Sequence, residues 1–384
     1  ICIYAVLRRN YMTKFQKFKI FIMTILIASL VCGMNFVMCR QAYSSDAVRV
    51  KNFYKLENNS LDMVMIGAST TFTNYSAPLA FKEFGYTSYS LGTNGAPMGL
   101  AKSMLIEVLK TQNPKVIIID INGILYDDKF ESKEGSLRAW IDNMPYSQNK
   151  IKTIQELVPE DDRLSYYVPF LKYHSNWAKF KDNVNASIDE LTHHDDIHLS
   201  SMGIQGTAQI TPQKSPIPIK THTQERPMYR LSGQHLKELL DYCQNHGLKN
   251  ILFTNMPRYY SKKMIPERER NNAAKALIHQ YGYEYIDMDD YVDEIGLNPQ
   301  TDFENQNHLN IYGQKKLTMY LGKRLNEKYH LSDTQHDEKI IQRYQQEVTA
   351  YEKIYKWADE QIRLGKKRRY NYKEVKEIIE KQEI

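Results

Sequence analysis

Cysteine is scarce in this sequence, which excludes a small secreted domain built on a framework of disulfide bonds. The 384 residues contain four cysteines. Cys2, Cys32 and Cys39 lie in or before the first apolar segment, so Cys243 has no cysteine to pair with in the remainder. We therefore predict that Cys243 is a lone buried thiol.

Glycine-rich phosphate-binding loops are also missing. Neither a P-loop nor a dinucleotide-binding fingerprint occurs, and we expect no cofactor. The run Thr-His-His-Asp-Asp-Ile-His at 192–198 is rich in metal-ligand residue types, but its spacing matches no helix-face or zinc-finger pattern. The sequence therefore predicts no metal site.

Charge is absent from residues 20–39, and twenty helical residues span roughly 30 Å, the thickness of a bilayer core. Residues 1–19 hold five basic residues and no acidic residue, which predicts a cytoplasmic N-terminus with everything after Arg40 outside. A signal peptide is the alternative, but no small residues suited to cleavage precede Arg40. We predict an uncleaved, single-pass anchor in the cell membrane.

The basic run Gly365-Lys-Lys-Arg-Arg369 has the composition of a nucleic-acid patch, and the net charge is +6. A segment outside the cell meets no genome, so we expect no nucleic-acid partner. We interpret the run as a solvated helix end. Attraction to anionic lipid or to a phosphate-rich wall polymer is the alternative.

Short apolar runs alternate with helical stretches after the anchor. One helix is indicated at 98–111, before Asn113-Pro114, and another between a Ser232 cap and Gly247. Since continuous apolar strands suit a parallel sheet covered on both faces, we predict an α/β fold with a doubly wound, mainly parallel sheet. The predicted strands are Met63–Ile66, Thr87–Leu91, Val116–Ile121, Ile251–Thr254 and Tyr285–Met288.

Composition divides the rest of the chain into segments. Residues 40–60 are a linker, and residues 61–128 and 230–330 form the α/β domain. Residues 129–229 mix aromatic residues, charges and prolines and are too long for a plain loop, so we predict an insertion near the active-site edge. Residues 331–384 are predicted to be a charged helical extension.

The first strand of the α/β domain ends abruptly in the stretch D-M-V-M-I-G-A-S-T-T-F, from Asp62 to Phe72. One interpretation is structural: glycine makes a tight turn and Ser69 caps the next helix. The other is chemical, because such a turn exposes a serine hydroxyl at the carboxyl edge of the sheet, where open α/β folds place their active sites.

Three further blocks follow in order. Gly92 lies in Y-S-L-G-T-N-G after the second strand, Asn122 in I-I-D-I-N-G-I-L-Y-D after the third, and His308 in D-F-E-N-Q-N-H-L-N before the last helix. With Ser69, this series resembles the SGNH (GDSL-like) hydrolase superfamily. More narrowly it resembles the membrane-anchored branch with teichoic acid D-alanyl transfer proteins and the SGNH partners of membrane-bound O-acyltransferases. The resemblance covers about 61–126 and 230–325 and implies a flavodoxin-like SGNH fold.

The resemblance also implies a role for each residue. His308 takes the proton of Ser69, the nucleophile, and the backbone N–H groups of Ser69 and Gly92 with the side-chain amide of Asn122 stabilise the oxyanion. The structural alternatives are that Gly92 permits a turn, Asn122 caps a loop with Asn94 as a competing donor, and His308 marks a helix entry.

One position departs from the family pattern. Three residues before the histidine the family usually has an aspartate that orients the imidazole, and here the residue is Asn305. An amide can hold the ring by a hydrogen bond but cannot stabilise an imidazolium by charge. Asp302 and Glu304 are nearby carboxylates that could replace the missing aspartate.

Two functions from different classes follow. The first is an SGNH-type acyltransferase or esterase that moves an acetyl or D-alanyl group to or from a cell-surface glycan or teichoic acid, with a membrane-bound O-acyltransferase as a partner. The second is a non-catalytic binding or scaffolding module on a degenerate SGNH fold.

Overall fold

The computed structural model describes residues 12–39, 44–192, 201–203, 205–213, 217, 219–369 and 372–381. The chain forms two compact units. The first comprises Ile1–Gln41 with Leu164–His194, and the second comprises Ala42–Arg163 with Asp195–Ile384.

The secondary structure is mainly helical, with one larger sheet. The helices are α1 (Lys14–Met38), α2 (Ser45–Tyr54), α3 (Ser69–Asn74), α4 (Ala77–Phe84), α5 (Gly99–Thr111), α6 (Asp128–Glu131), α7 (Glu134–Ile141), α8 (Gln148–Leu157), α9 (Arg163–Tyr167), α10 (Phe170–Tyr173), α11 (Phe180–Thr192), α12 (Arg230–Asn245), α13 (Ile265–Gln280), α14 (Val292–Ile295), α15 (Ile311–Tyr329), α16 (Glu338–Arg363) and α17 (Tyr372–Lys381). The strands are β1 (Met63–Gly67), β2 (Ser88–Gly92), β3 (Val116–Asp120), β4 (Thr207–Ala208), β5 (Ile251–Asn255), β6 (Glu284–Asp287) and β7 (Arg368–Arg369).

The larger sheet contains five strands in the order β2-β1-β3-β5-β6, and every neighbouring pair is parallel. The chain runs outward from β1 to β2 and then crosses back to β3, so the order reverses between β1 and β3. Every residue of β1, β2, β3 and β5 is buried, which requires cover on both faces. The predicted α/β class and all five predicted strands are confirmed, each within one residue at its ends.

The predicted anchor corresponds to α1, which is long and apolar enough to cross a membrane. It begins at Lys14, earlier than residue 20, because Thr13 accepts from the backbone N–H of Gln16 in a capping box. Cys243, on α12, is buried as predicted, and burial raises the pKa of its thiol to about 12.

Four boundary predictions need correction. The predicted linker at 40–60 contains helix α2, of which Ala47, Val50 and Phe53 are buried. Helix α12 begins at Arg230, and Ser232 lies inside it, where its hydroxyl donates to the backbone O of Ile124 (3.1 Å) and to that of the N-cap residue Tyr229 (3.3 Å). The predicted insertion 129–229 is not one piece, because residues 164–194 belong to the first unit. The basic run at 365–369 is a helix end only in its first residues: the backbone N–H groups of Gly365 and Lys366 donate to the last turn of α16 (2.9 Å each), whereas Arg368–Arg369 form β7, which pairs antiparallel with β4.

Candidate active site

The turn after β1 places Ser69 at the carboxyl edge of the sheet. Gly67 has φ of +154°, and a Cβ there would lie 2.9 Å from the Cβ of Asp120 and the Cγ2 of Thr71, so only glycine fits. Ala68 occupies the N-cap of α3, and Ser69 is the first residue of the helix. The hydroxyl of Ser69 is therefore not a cap.

Ser69 contacts His308, a residue 239 positions away in the sequence. The distance between Ser69 Oγ and His308 Nε2 is 2.8 Å. His308 lies in the loop before α15, where Phe303 and Leu309 form a β-bridge. The backbone N–H of Leu309 donates to Oδ1 of Asn74, the last residue of α3 (3.0 Å), so the helix that begins with Ser69 also anchors the histidine loop.

Asn305 contacts the other ring nitrogen of His308. Its Oδ1 accepts from the backbone N–H groups of Asn307 (2.9 Å) and His308 (3.1 Å), which leaves Nδ2 to face the ring at 3.0 Å from Nδ1. An amide nitrogen can only donate, so Nδ1 accepts, and the proton of the neutral imidazole lies on Nε2. That N–H donates to Ser69, so in this arrangement Nε2 cannot take the proton of the serine.

The two nearby acidic residues, Asp302 and Glu304, make different contacts. Asp302, a predicted catalytic residue, accepts from the backbone N–H of Asn298 (2.7 Å), the hydroxyl of Thr301 (2.8 Å) and the ammonium of Lys316 (2.7 Å). These contacts direct Asp302 to the start of the loop and to α15, and the prediction that it orients His308 is not supported. The backbone N–H of Glu304 donates to the backbone O of His308 (3.0 Å), which fixes the loop.

Gly92 lies beside Gly67 in the parallel pair of β1 and β2. A Cβ on Gly92 would lie 2.2 Å from Thr71 Oγ1 and 2.8 Å from the backbone O of Ala68, so the glycine allows the end of β2 to approach the Ser69 turn. The backbone O of Gly92 accepts from Nε of the fully buried Arg49 (2.9 Å). A glycine is needed at position 92 because a side chain would not fit beside the Ser69 turn, and not because the backbone turns there.

Asn122 follows β3 in a 3-10 turn, Ile121–Leu125. Its side chain is buried, and Oδ1 has no hydrogen-bond partner among the residues that the structure describes. The competing donor Asn94 uses both its backbone N–H and its side-chain Nδ2 to bind Asp46 (3.0 Å each). Of the two amides, only that of Asn122 is left for a substrate.

A buried carboxyl that sequence analysis did not select joins the ends of β1 and β3. Asp120 accepts from the hydroxyl of Thr70 and from the backbone N–H of Asn122 (3.2 Å). Burial raises the pKa of Asp120 to about 6. The visible signal was an acidic residue inside the apolar run Val116–Ile121, directly before Asn122.

The loop after β5 supports the histidine loop from the other side. Asp289 accepts from Asn255 Nδ2 (2.6 Å), the backbone N–H of Arg258 (2.9 Å) and the hydroxyl of Tyr260 (2.8 Å). Burial, followed by the charge of Asp287, raises the pKa of Asp289 to about 7. The adjacent Tyr259 donates its backbone N–H to the backbone O of Gln306 (3.1 Å), two residues before His308.

Part of the segment 129–229 lies next to the histidine loop. The backbone N–H of Gln205 donates to the backbone O of Phe72 (2.7 Å), and that of Thr211 donates to the backbone O of Phe303 (2.9 Å). The histidine-rich run at 193–198 lies outside the described residues. Within the described part of the chain, no cluster of side chains has the composition of a metal site.

Comparisons with known proteins identify no relative. No protein-family model matches the chain, no curated protein matches it, and no solved structure matches it. The candidate site therefore rests on the geometry of the chain itself.

Proposed function

We propose that this protein is a membrane-anchored enzyme that handles O-acyl groups outside the cell, with Ser69 as the nucleophile and His308 as the general base. The observation that carries the proposal is the 2.8 Å contact between Ser69 Oγ and His308 Nε2. It lies at the carboxyl edge of a parallel sheet, beside the reversal of strand order, where α/β folds bind their ligands.

The chemistry proceeds in two steps. The ring of His308 first moves its proton from Nε2 to Nδ1. Ser69 Oγ then attacks the acyl carbonyl carbon while His308 Nε2 takes the hydroxyl proton, and the leaving alkoxide receives that proton when the tetrahedral intermediate collapses. The backbone N–H groups of Ser69 and Gly92 and the amide of Asn122 stabilise the oxyanion. An acceptor hydroxyl or water then attacks the acyl-serine while His308 takes its proton; the bond between the acyl carbon and Ser69 Oγ breaks, and Oγ receives that proton.

The substrate class follows from the anchor and from the family resemblance. A candidate membrane span precedes the α/β unit, so the enzyme would work where surface polymers are assembled. The order of the Ser69, Gly92, Asn122 and His308 blocks resembles SGNH enzymes that move acetyl or D-alanyl groups. We propose a surface glycan or teichoic acid as the polymer and a membrane-bound O-acyltransferase as a partner.

A second candidate function is a non-catalytic binding module on a degenerate SGNH fold. Asn305 favours it, because its amide donates to Nδ1 and places the imidazole proton on Nε2. To act as a base, the ring of His308 must move its proton from Nε2 to Nδ1. The Nδ1–H group would then face the N–H of the Asn305 amide, and two donors would oppose each other. Replacing the triad aspartate of a serine protease by asparagine has this effect and lowers kcat about 10⁴-fold.

A fluorophosphonate probe separates the two functions, since it reacts only with an activated serine. The detergent-solubilised full chain should become labelled, and Ser69→Ala and His308→Ala should not. Ser69→Ala should also lower hydrolysis of a small acetyl ester by several orders of magnitude and the free energy of unfolding by no more than about 1 kcal/mol.

Two results would reject the enzyme function. Equal labelling of the wild type and Ser69→Ala would place the reactive group elsewhere. An unlabelled wild type beside a labelled Asn305→Asp variant would make the native chain a binding module whose ancestral chemistry is blocked by one amide.

A further inference from the structure

The first unit joins α1 to a distant part of the chain. Residues 164–192, here called the flanking segment, pack against the C-terminal end of α1. The backbone N–H of Phe170 donates to Asn35 Oδ1 (2.8 Å), and Asn176 Nδ2 donates to the backbone O of Met38 (2.9 Å). Both acceptors lie in the last two turns of the helix. The flanking segment is therefore fixed at one end of the apolar span.

The flanking segment carries an unusual amount of exposed apolar surface. Trp177 is 55% exposed and stacks on Phe180, whose ring centroid is 5.4 Å away. Leu164, Leu171, Ile188 and Leu191 are between 45% and 66% exposed. At roughly 25 cal/mol per Å² of apolar surface, leaving such side chains in water costs several kcal/mol in total. A surface of this kind indicates contact with an apolar phase.

The position of this surface determines which phase it meets. The uncharged run that would span the bilayer ends at Cys39, and Arg40 follows, so Asn35 and Met38 lie where α1 leaves the hydrocarbon. Groups hydrogen-bonded to Asn35 and Met38 lie at the same depth. Tryptophan is enriched at this boundary. The three lysines of the flanking segment are balanced by three acidic residues, so its exposed apolar side chains, and not a net charge, indicate the membrane boundary.

We propose that the flanking segment is a second membrane-contacting element, which lies in the boundary between head groups and acyl chains with Trp177 and Phe180 inserted. The inference rests on α1 crossing the bilayer and is independent of the proposed chemistry. The chain passes between the two units after residues 41, 163 and 194, so the α/β unit is tied to membrane-bound chain by three covalent connections. A second copy or a protein partner is the competing occupant of the same surface.

Fluorescence quenching by brominated lipids tests this inference on the full chain reconstituted in vesicles of phosphatidylcholine and phosphatidylglycerol. The chain has three tryptophans, and Trp140 and Trp357 are buried, so subtracting the emission of Trp177→Phe isolates Trp177. Bromine near the head groups should quench the Trp177 emission by roughly half, and bromine deep in the acyl chains should quench it less. Water-soluble acrylamide should quench it weakly.

A matched control places a tryptophan within the span. Ile27→Trp in the Trp177→Phe background should be quenched more by the deep bromine than by the shallow one. If this control fails, α1 does not cross the bilayer, and the inference falls with it. If the control succeeds but Trp177 responds to acrylamide and not to bromine, the flanking segment lies in water. Protection from both quenchers would assign the surface to a second copy or a protein partner. Either result overturns the proposal.

Discussion

Asn305 decides how the candidate site works at the scale of single residues. Its Oδ1 already accepts from two backbone N–H groups, those of Asn307 and His308. Turning the amide over would leave both donors facing an NH₂ group, which costs about 1–3 kcal/mol for each lost bond. The side chain is therefore held in the orientation that donates to His308, and the hydroxyl of Ser69 accepts a hydrogen bond from Nε2–H of the ring.

We predict that Asn305→Asp raises ester hydrolysis. A carboxylate retains one oxygen for the two backbone donors and places the other against Nδ1, so Nδ1 carries the proton and Nε2 becomes the base. The rate of acetyl ester hydrolysis should rise by about 10- to 10⁴-fold, as measured by initial rates on folded protein.

The matched control for that substitution is Asn305→Ala, which removes both orienting interactions. It should not exceed the wild-type rate. Equal rates for the wild type, Asn305→Asp and Asn305→Ala, together with an inactive His308→Ala, would show that another group orients the ring and would contradict the tautomer argument.

Asp120 makes a second prediction at the residue scale. Burial raises the pKa of its carboxyl from 3.8 to about 6, against hydrogen bonding by Thr70 and the charge of Arg258. The folded state therefore binds more protons than the unfolded state between those values, so this contribution to stability is lost as the pH rises from about 4 to 6. The free energy of unfolding of the wild type, relative to Asp120→Asn, should fall by about 3 kcal/mol across that window. Denaturant unfolding in detergent at several pH values measures it.

Asp62 offers a control of opposite sign. Burial alone would raise its pKa, but hydrogen bonds from His336, Thr334 and Thr87 outweigh burial and lower it below 3.8. The stability that the Asp62 carboxylate contributes is fully present above its unfolded pKa of 3.8, and it is lost as the pH falls through the lowered pKa of the folded state. The difference between the wild type and Asp62→Asn should therefore stay constant above pH of about 5. A parallel drift in both variants would assign the Asp120 effect to a general change in charge.

At the scale of elements, the contact between α3 and the histidine loop aligns the two halves of the site. Asn74 ends the helix that Ser69 begins, and its Oδ1 holds the backbone N–H of Leu309. Asn74 and Leu309 are fully buried, so water cannot replace this bond. The position of His308 over Ser69 depends on it.

We predict that Asn74→Ala lowers both kcat and the free energy of unfolding. The unpaired N–H of Leu309 should cost about 1–3 kcal/mol of folding free energy, and displacement of the adjacent His308 should lower kcat at least tenfold with a smaller change in KM. Asn326→Ala is the control, because Asn326 also accepts a backbone N–H, from Ser332 (2.8 Å). If both variants keep full kcat, the tether does not position the histidine.

At the scale of the whole molecule, the prediction still to be tested is the membrane topology. Helix α1 is long and apolar enough to span a bilayer, and the residues before it are basic. We expect the full chain to stay in the membrane fraction after carbonate washing, and residues 41–384 to be digested by protease added outside intact protoplasts. A soluble, shortened product would identify a cleaved signal sequence, and protection of residues 41–384 would reverse the orientation.

The sequence alone determined the elements of this protein. Apolar runs such as Val116–Asp120 have no solvent face, so burial on both sides and a parallel sheet follow from composition. The uncharged run in α1 is long and apolar enough to span a bilayer, which composition alone shows. Ser69, Gly92 and Asn122 could be selected because each lies at or just after the end of a strand, and the carboxyl ends of parallel strands share one edge.

Tertiary structure decided which residues meet. Nothing local to Asn74 indicates that it holds the loop of His308, and nothing in the insertion indicates that Phe170 bonds Asn35, because both contacts join segments over a hundred positions apart. The sequence left both Asn305 and Asp302 as residues that could orient His308 for the same reason. Both lie near His308 in the sequence, but hydrogen bonds to Asn298 and Lys316 direct the carboxylate elsewhere, while backbone donors turn the amide toward the ring. Periodicity reports which face of an element is buried, and only packing determines which side chains touch.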